Sequence, residues 1–303
     1  MDTHVDADAV ATGAQRPPWL SDRCYPFTIH HMTVADGTVA SVDAGAGPPL
    51  LFVHAGLWSF VFRDAIVGLR DDFRCVAVDF PGCGLAPAGS RDLELEDLSR
   101  VLADVVTALD LREVTLVAHD LGGPVALAAA AAQRERIRGI VLANTFAWTP
   151  DTLALRAMLR VVGSRTAEAI GAWTNLVPLL TSTRFGVGRH LDAADRAAFR
   201  GPFRDRAVRR RFHQLMASAL ANPTFTDRVA QATTTVLADL PVLTVFGERN
   251  DPFGFQARLG ECFADHEGVV VEGGNHFPMM DDPELFARSV RDWHLRKVST
   301  GTP

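Results

Sequence analysis

Residues 114–132 constrain this chain more tightly than any other stretch. Val114-Thr-Leu-Val-Ala118 is a short apolar, β-branched run that reads as a strand buried on both faces. Pro124–Ala132 is alanine-rich and reads as a helix. Only five residues, His119-Asp-Leu-Gly-Gly123, join the two, so the chain must reverse in a sharp turn. Such a turn is crowded, and the small Ala118 and Gly122 on either side of it meet that demand. The turn lifts Asp120 above the strand end, at a helix N-terminus whose dipole favours an anion. A doubly buried strand leading straight into an apolar helix belongs in a layered α/β structure.

The rest of the chain repeats that rhythm. Thr28–Val34 and Thr38–Asp43 flank a hairpin turn, and strands are expected at Leu50–His54, Phe73–Asp79 and Ile137–Asn144. Helices are expected at Val61–Leu69 and Leu95–Leu109. From Thr149 to about Val236 the strands cease and helical stretches are broken at Gly163, Pro178, Gly186, Pro202 and Pro223. Strand character returns at Pro241–Gly247 and Gly268–Glu272, and Pro283–Arg296 closes as a helix. The expected architecture is a mostly parallel central sheet flanked by helices, with a helical cap inserted after the sixth main strand. The core then comprises 21–148 and 237–303, the cap 149–236, and residues 1–20 a loose N-terminal tail.

Composition limits the partners. With a formal charge of −6 the chain offers no nucleic-acid surface. No signal-peptide pattern opens it, and its longest apolar run, Val125–Ala132, is too short to span a bilayer, so a cytoplasmic protein without membrane partner is expected. Cys24, Cys75, Cys83 and Cys262 lack the spacing of a disulfide framework or a metal site, and neither metal nor cofactor is expected.

The chemistry starts from Asp120. A serine on such a turn would form an acyl-enzyme; a carboxylate instead attacks an electrophilic carbon and forms an alkyl ester that water must cleave. His276 lies in the loop Glu272-Gly-Gly-Asn-His276, after the last expected strand. Asp251 lies in Gly247-Glu-Arg-Asn-Asp251, after the strand before it. Together they would supply a base for the attacking water and an acid to orient that base. Glu248 is a competing acid. Asn144 sits at another strand end but, as an amide, cannot serve as one.

The segments His54-Ala-Gly-Leu-Trp-Ser-Phe60, Asp79-Phe-Pro-Gly-Cys-Gly84, His119-Asp-Leu-Gly-Gly123, Asn144-Thr-Phe-Ala-Trp148 and His276-Phe-Pro-Met-Met-Asp-Asp-Pro283 carry a resemblance. The chain resembles the haloalkane dehalogenase and epoxide hydrolase branch of the α/β-hydrolase superfamily, from about residue 28 to 297. The resemblance implies the α/β-hydrolase fold, the triad Asp120, His276 and Asp251, and an oxyanion hole from the N–H groups of Gly56 and Leu121. It implies a small apolar electrophilic substrate and a monomer or homodimer.

Two departures bear on the leaving group. Typical dehalogenases bind halide with a Trp directly after the nucleophile and often an Asn in the His54 loop; here those positions hold Leu121 and Gly56. Typical epoxide hydrolases use two cap tyrosines, whereas the sole tyrosine here is Tyr25. Trp58, Trp148 and Trp173 are candidate substitute donors, and His54 and Phe277 are further pocket candidates; His213 is another possible donor or a cap-helix polar residue. A dehalogenase-like reaction is the first expectation, and opening of an epoxide or β-lactone the second. A ligand-binding or non-hydrolytic protein on the same scaffold is the alternative of another class.

Overall fold

A computed structural model describes residues 12–89, 91–183, 186–187 and 191–299. Nine strands form one sheet: β1 (Thr12–Gly13), β2 (His30–Val34), β3 (Gly37–Ala44), β4 (Pro49–Ala55), β5 (Arg74–Asp79), β6 (Val114–Asp120), β7 (Ile137–Thr145), β8 (Pro241–Gly247) and β9 (Asp265–Val271). Their order is β1-β2-β3-β5-β4-β6-β7-β8-β9. Pairing is antiparallel from β1 to β5 and parallel from β5 through β9. This is the α/β-hydrolase fold.

The helices fall into three groups. Around the first half of the sheet lie α1 (Arg63–Leu69), α2 (Leu95–Ala108) and α3 (Gly122–Ala132). Between β7 and β8 come α4 (Leu153–Val162), α5 (Arg165–Thr174), α6 (Leu176–Thr181), α7 (Ala193–Phe199), α8 (Arg206–Ala221) and α9 (Pro223–Thr233), with no strand among the described residues of that stretch. After β8 follow α10 (Phe255–Gly260), α11 (Pro278–Asp281) and α12 (Pro283–Lys297).

Strand alternation sorts the core into two layers. Leu51, Val53 and Ala55 of β4 pack with residues of α2 and α3, while Leu50 and Phe52 face α1 and α12. Both faces of the central strands β4, β6 and β7 are therefore dry, which is why they read as near-continuous apolar runs. On α2 the apolar residues recur at helical spacing and are buried, and its first turn is closed by Glu94 and Asp97 capping one another.

One expectation needs correction. Residues 1–11 lie outside the described residues, but 12–20 are not a loose tail. Thr12 and Gly13 add an edge strand opposite His30 and His31. Arg16 donates to the carbonyls of Tyr25 (2.9 Å) and Phe27 (2.6 Å), and Leu20 is buried in the core. The apolar Trp19 and Leu20 anchor the segment: the Trp19 ring lies edge-on to Trp58 at 6.1 Å. Among the described residues no helix is long and apolar enough to cross a membrane.

Candidate active site

The turn between β6 and α3 places Asp120 at the centre of the sheet's C-terminal edge. Its backbone adopts φ +52°, in the left-handed region that a non-glycine residue rarely occupies. The strand pairing and the close packing around it hold that conformation. The register of β6 against β7 slips between His119 and Asp120. Thr145 at the end of β7 donates its hydroxyl to the Asp120 carbonyl at 2.5 Å. Gly122 passes so close to Val53 that a Cβ there would strike the Val53 carbonyl, and a Cβ on Gly123 would strike Thr145. The small residues seen in the sequence are thus required by backbone packing.

His276 comes from the loop between β9 and α11. Its Nε2 lies 3.7 Å from Asp120 Oδ2, beyond a direct hydrogen bond but within reach of a group held between them. The loop is fixed from beneath by His119, whose Nε2–H donates to the His276 carbonyl at 2.7 Å. The rings of His54, His119 and His276 follow one another at centroid spacings of 4.9 and 4.7 Å, tilted by 49° and 53°. Burial pushes His54 down to about 4 and His119 well below the usual imidazole value, so both are neutral at pH 7. Burial acts to raise the Asp120 carboxyl, but the neighbouring His276, with smaller contributions from His54 and His119, outweighs it and holds the group down to about 2. The nucleophile candidate is therefore ionised.

The expected acid is not beside the histidine. Asp251 accepts the backbone N–H groups of Phe255 (2.6 Å) and Gln256 (2.9 Å) and so caps α10. Glu248 accepts the N–H of Gly273 at 2.7 Å. The side chain facing His276 Nδ1 is Asn250, its amide nitrogen placed at 3.0 Å. Asn144, with φ +36°, accepts the N–H of Gly247 at 2.8 Å and links the ends of β7 and β8. Asn250 was missed because sequence reasoning sought an acid, and its neighbour Asp251 offered one. The signal available was the cap pattern, an Asp four residues before a helix.

Above Asp120 lies a cavity of about 460 Å³. Asp120, Leu121, His276 and Phe277 form part of its floor, and cap residues such as Leu159, Phe212 and Met216 cover it. Among the described residues, polar lining is confined to Asp120, Asn144, Thr145, Thr181, Asn250 and His276. Of the pocket candidates, Phe277 alone lines this cavity. Trp58 donates its indole N–H to the Phe199 carbonyl at 3.0 Å. Trp148 lies under the Arg258 guanidinium, and Trp173 is 73% exposed beneath Arg206. His54 is buried below the floor, its Nδ1–H donating to the Ala55 carbonyl at 3.0 Å. His213 donates to the Val162 carbonyl at 2.6 Å, a role internal to the cap. Gly56, with φ +101°, adjoins Phe212 and Met216, while Leu57 is the residue of its loop that reaches the cavity. Tyr25 is buried elsewhere, its hydroxyl 2.6 Å from that of Ser59. Among the described residues no group of three His, Cys, Asp or Glu side chains could hold a metal ion.

The chain is similar to known proteins in sequence and in fold. Residues 50–289 match the Alpha/beta hydrolase family. The chain is 33% identical over 273 residues to haloalkane dehalogenase 2 of Mycobacterium tuberculosis, covering 88% of this chain and 94% of that protein. It is 27% identical over 233 residues to a cis-3-alkyl-4-alkyloxetan-2-one decarboxylase of Shewanella oneidensis, covering 73% and 71%. The crystal structure of haloalkane dehalogenase DbeA from Bradyrhizobium elkani has the same fold, with a TM-score of 0.78 at 23% identity over 90% of this chain and 99% of that one.

Proposed function

The chain belongs to the alpha/beta hydrolase family, in its haloalkane dehalogenase and epoxide hydrolase-like branch, and from that membership we propose that it hydrolyses a carbon–leaving-group bond through an alkyl ester on Asp120. The observation that carries the reading is an ionised carboxylate on a strained turn, 3.7 Å from an imidazole nitrogen, at the floor of an apolar cavity. A small or medium apolar electrophile fits that lining. Asp120 attacks its carbon and expels the leaving group in one displacement. Water then adds to the ester carbonyl, giving its proton to His276 Nε2, while the N–H of Leu121 receives the developing oxyanion.

Dehalogenation is the first reading, on similarity to the mycobacterial enzyme. A second reading is favoured by the fates of the indoles: Trp58, Trp148 and Trp173 all lie outside the cavity lining. A desolvated halide without donors costs several kcal/mol. A β-lactone escapes that cost, because its leaving group is its own delocalised carboxylate. Opening of an epoxide finds less support, since Tyr25 is committed to Ser59.

With a haloalkane or an epoxide, single turnover in water enriched in heavy oxygen tests the alkyl-ester step; a β-lactone opened at Asp120 that goes on to alkene and carbon dioxide draws no oxygen from water. Label is expected first in the Asp120 carboxylate and in product only after later turnovers; immediate label in product overturns the covalent route. A panel of haloalkanes, epoxides and β-lactones, assayed for halide, diol, and alkene with carbon dioxide, separates the leaving groups.

A further inference from the structure

Building on the Asp120 alkyl ester, we propose that Asn250 is the positioning residue of His276, and that ester hydrolysis is consequently the slow half of the reaction. The alkyl-enzyme then accumulates in the unmodified protein.

The contacts around the imidazole carry this. The Asn250 amide lies 3.0 Å from His276 Nδ1. Of the carboxylates near in sequence, Asp251 caps α10 with both oxygens, Glu248 and Asp281 accept the N–H groups of Gly273 and Asn275, and Glu272 is exposed to solvent. Asn144 is tied to Gly247. A carboxylate beside Nδ1 can only accept a hydrogen bond, so it fixes the proton on Nδ1 and leaves Nε2 bare. An amide has two faces. With its NH₂ toward the ring, Nδ1 must be the bare nitrogen and Nε2 carries the proton, pointing toward Asp120. That tautomer suits a resting carboxylate and the displacement step, which transfers no proton. It cannot take a proton from water.

Hydrolysis requires the amide to turn. With Oδ1 toward the ring, Nδ1–H donates to it and Nε2 becomes basic. The water oxygen then bonds to Asp120 Cγ and its proton passes to Nε2. The tetrahedral species collapses with rupture of the ester C–O bond, and the imidazolium returns its proton to the departing alkoxide. The acid left on Asp120 releases one proton to solvent. Throughout, a neutral amide supplies no countercharge to the imidazolium, which the acid of a triad provides.

Rapid-quench intact-mass time courses with bromohexane and with a terminal alkyl epoxide as probes, both of which leave an ester that only water can cleave, test this. Most of the unmodified protein should carry the adduct during turnover. Asn250→Asp should speed adduct decay by about tenfold or more while changing its formation by less than about threefold. Asn250→Ala should still form adduct but slow its decay further, and Asp251→Asn should leave the decay within about threefold. Nitrogen NMR of the imidazole should show the proton moved to Nδ1 in Asn250→Asp, a change that a merely structural role would not produce. Adduct decay indifferent to residue 250, decay abolished by Asp251→Asn alone, or no accumulation in the unmodified protein while His276→Phe traps adduct each overturns the inference. Adduct absent from every variant, His276→Phe included, instead overturns the alkyl-ester reading beneath it.

Discussion

Two neutral imidazoles, His54 and His119, lie buried beneath Asp120, and they tie the stability of the site to pH. Their folded values are depressed, His54 to about 4, so the unfolded chain binds their protons first as pH falls below about 6.5. Each then costs about 1.4 kcal/mol per pH unit. Asp79 acts oppositely. Burial raises its carboxyl to about 6, against the N–H groups of Leu85 and Ser59, so the folded state gains as pH drops through that value. The two histidines outweigh the one aspartate. Between pH 7 and pH 5 the protein should lose roughly 2–3 kcal/mol, and His119→Gln should remove about half of the histidine share. Urea unfolding at the two pH values measures this, and equal stability at both would contradict it. At Asp120, held down to about 2, adduct formation should be independent of pH above about 4 and fall only as pH approaches that value.

Among elements, the β6–α3 turn was the most legible. Its small residues, its apolar flanks and its raised carboxylate could all be read directly, because a sharp strand-to-helix reversal leaves few residue types that fit. Gly122→Ala tests the packing reason. The added Cβ meets the Val53 backbone, which cannot swing aside, so α3 must shift. We expect a loss of about 2 kcal/mol and adduct formation slowed by about a hundredfold. Normal activity in a stably folded Gly122→Ala protein would show that the turn tolerates the displacement. The β8–α10 connection was less legible. Asn250 and Asp251 are adjacent, and the sequence alone does not say which side chain turns to the histidine and which to the helix. The start of α10 decides it: the free N–H groups of Phe255 and Gln256 capture Asp251. The edge strand β1 was also unread, since two residues carry no periodicity.

At the scale of the whole molecule, the cap is held to the core by apolar packing, in which Leu215, Phe225 and Val229 join the core cluster, and by a few buried polar contacts. Arg63 of α1 donates to Asp195 of α7 at 2.9 Å, both side chains about nine-tenths buried, and Trp58 reaches the Phe199 carbonyl. Asp195→Ala leaves the buried guanidinium only Asp64, at 3.3 Å and half exposed, as a carboxylate partner and should cost about 2 kcal/mol in urea unfolding. A loss below about 1 kcal/mol would mean that Arg63 finds another partner. The cavity depends on the same docking, because its roof is drawn from cap helices α4, α6 and α8 and its floor from the segments that follow β4, β6, β7, β8 and β9 in the core. By itself the sequence determined the layered α/β fold, the helical insertion after β7 and the placement of Asp120 and His276 after strand ends. Those follow from periodicity, turn sterics and chain order, all local properties. Only the tertiary structure decided that Asn250 faces the imidazole, that Asp251 serves a helix, and that the tryptophans spend their N–H groups or their faces outside the cavity. Such assignments depend on which hydrogen-bonding groups meet after packing, and residues far apart in the chain compete for the same side chain.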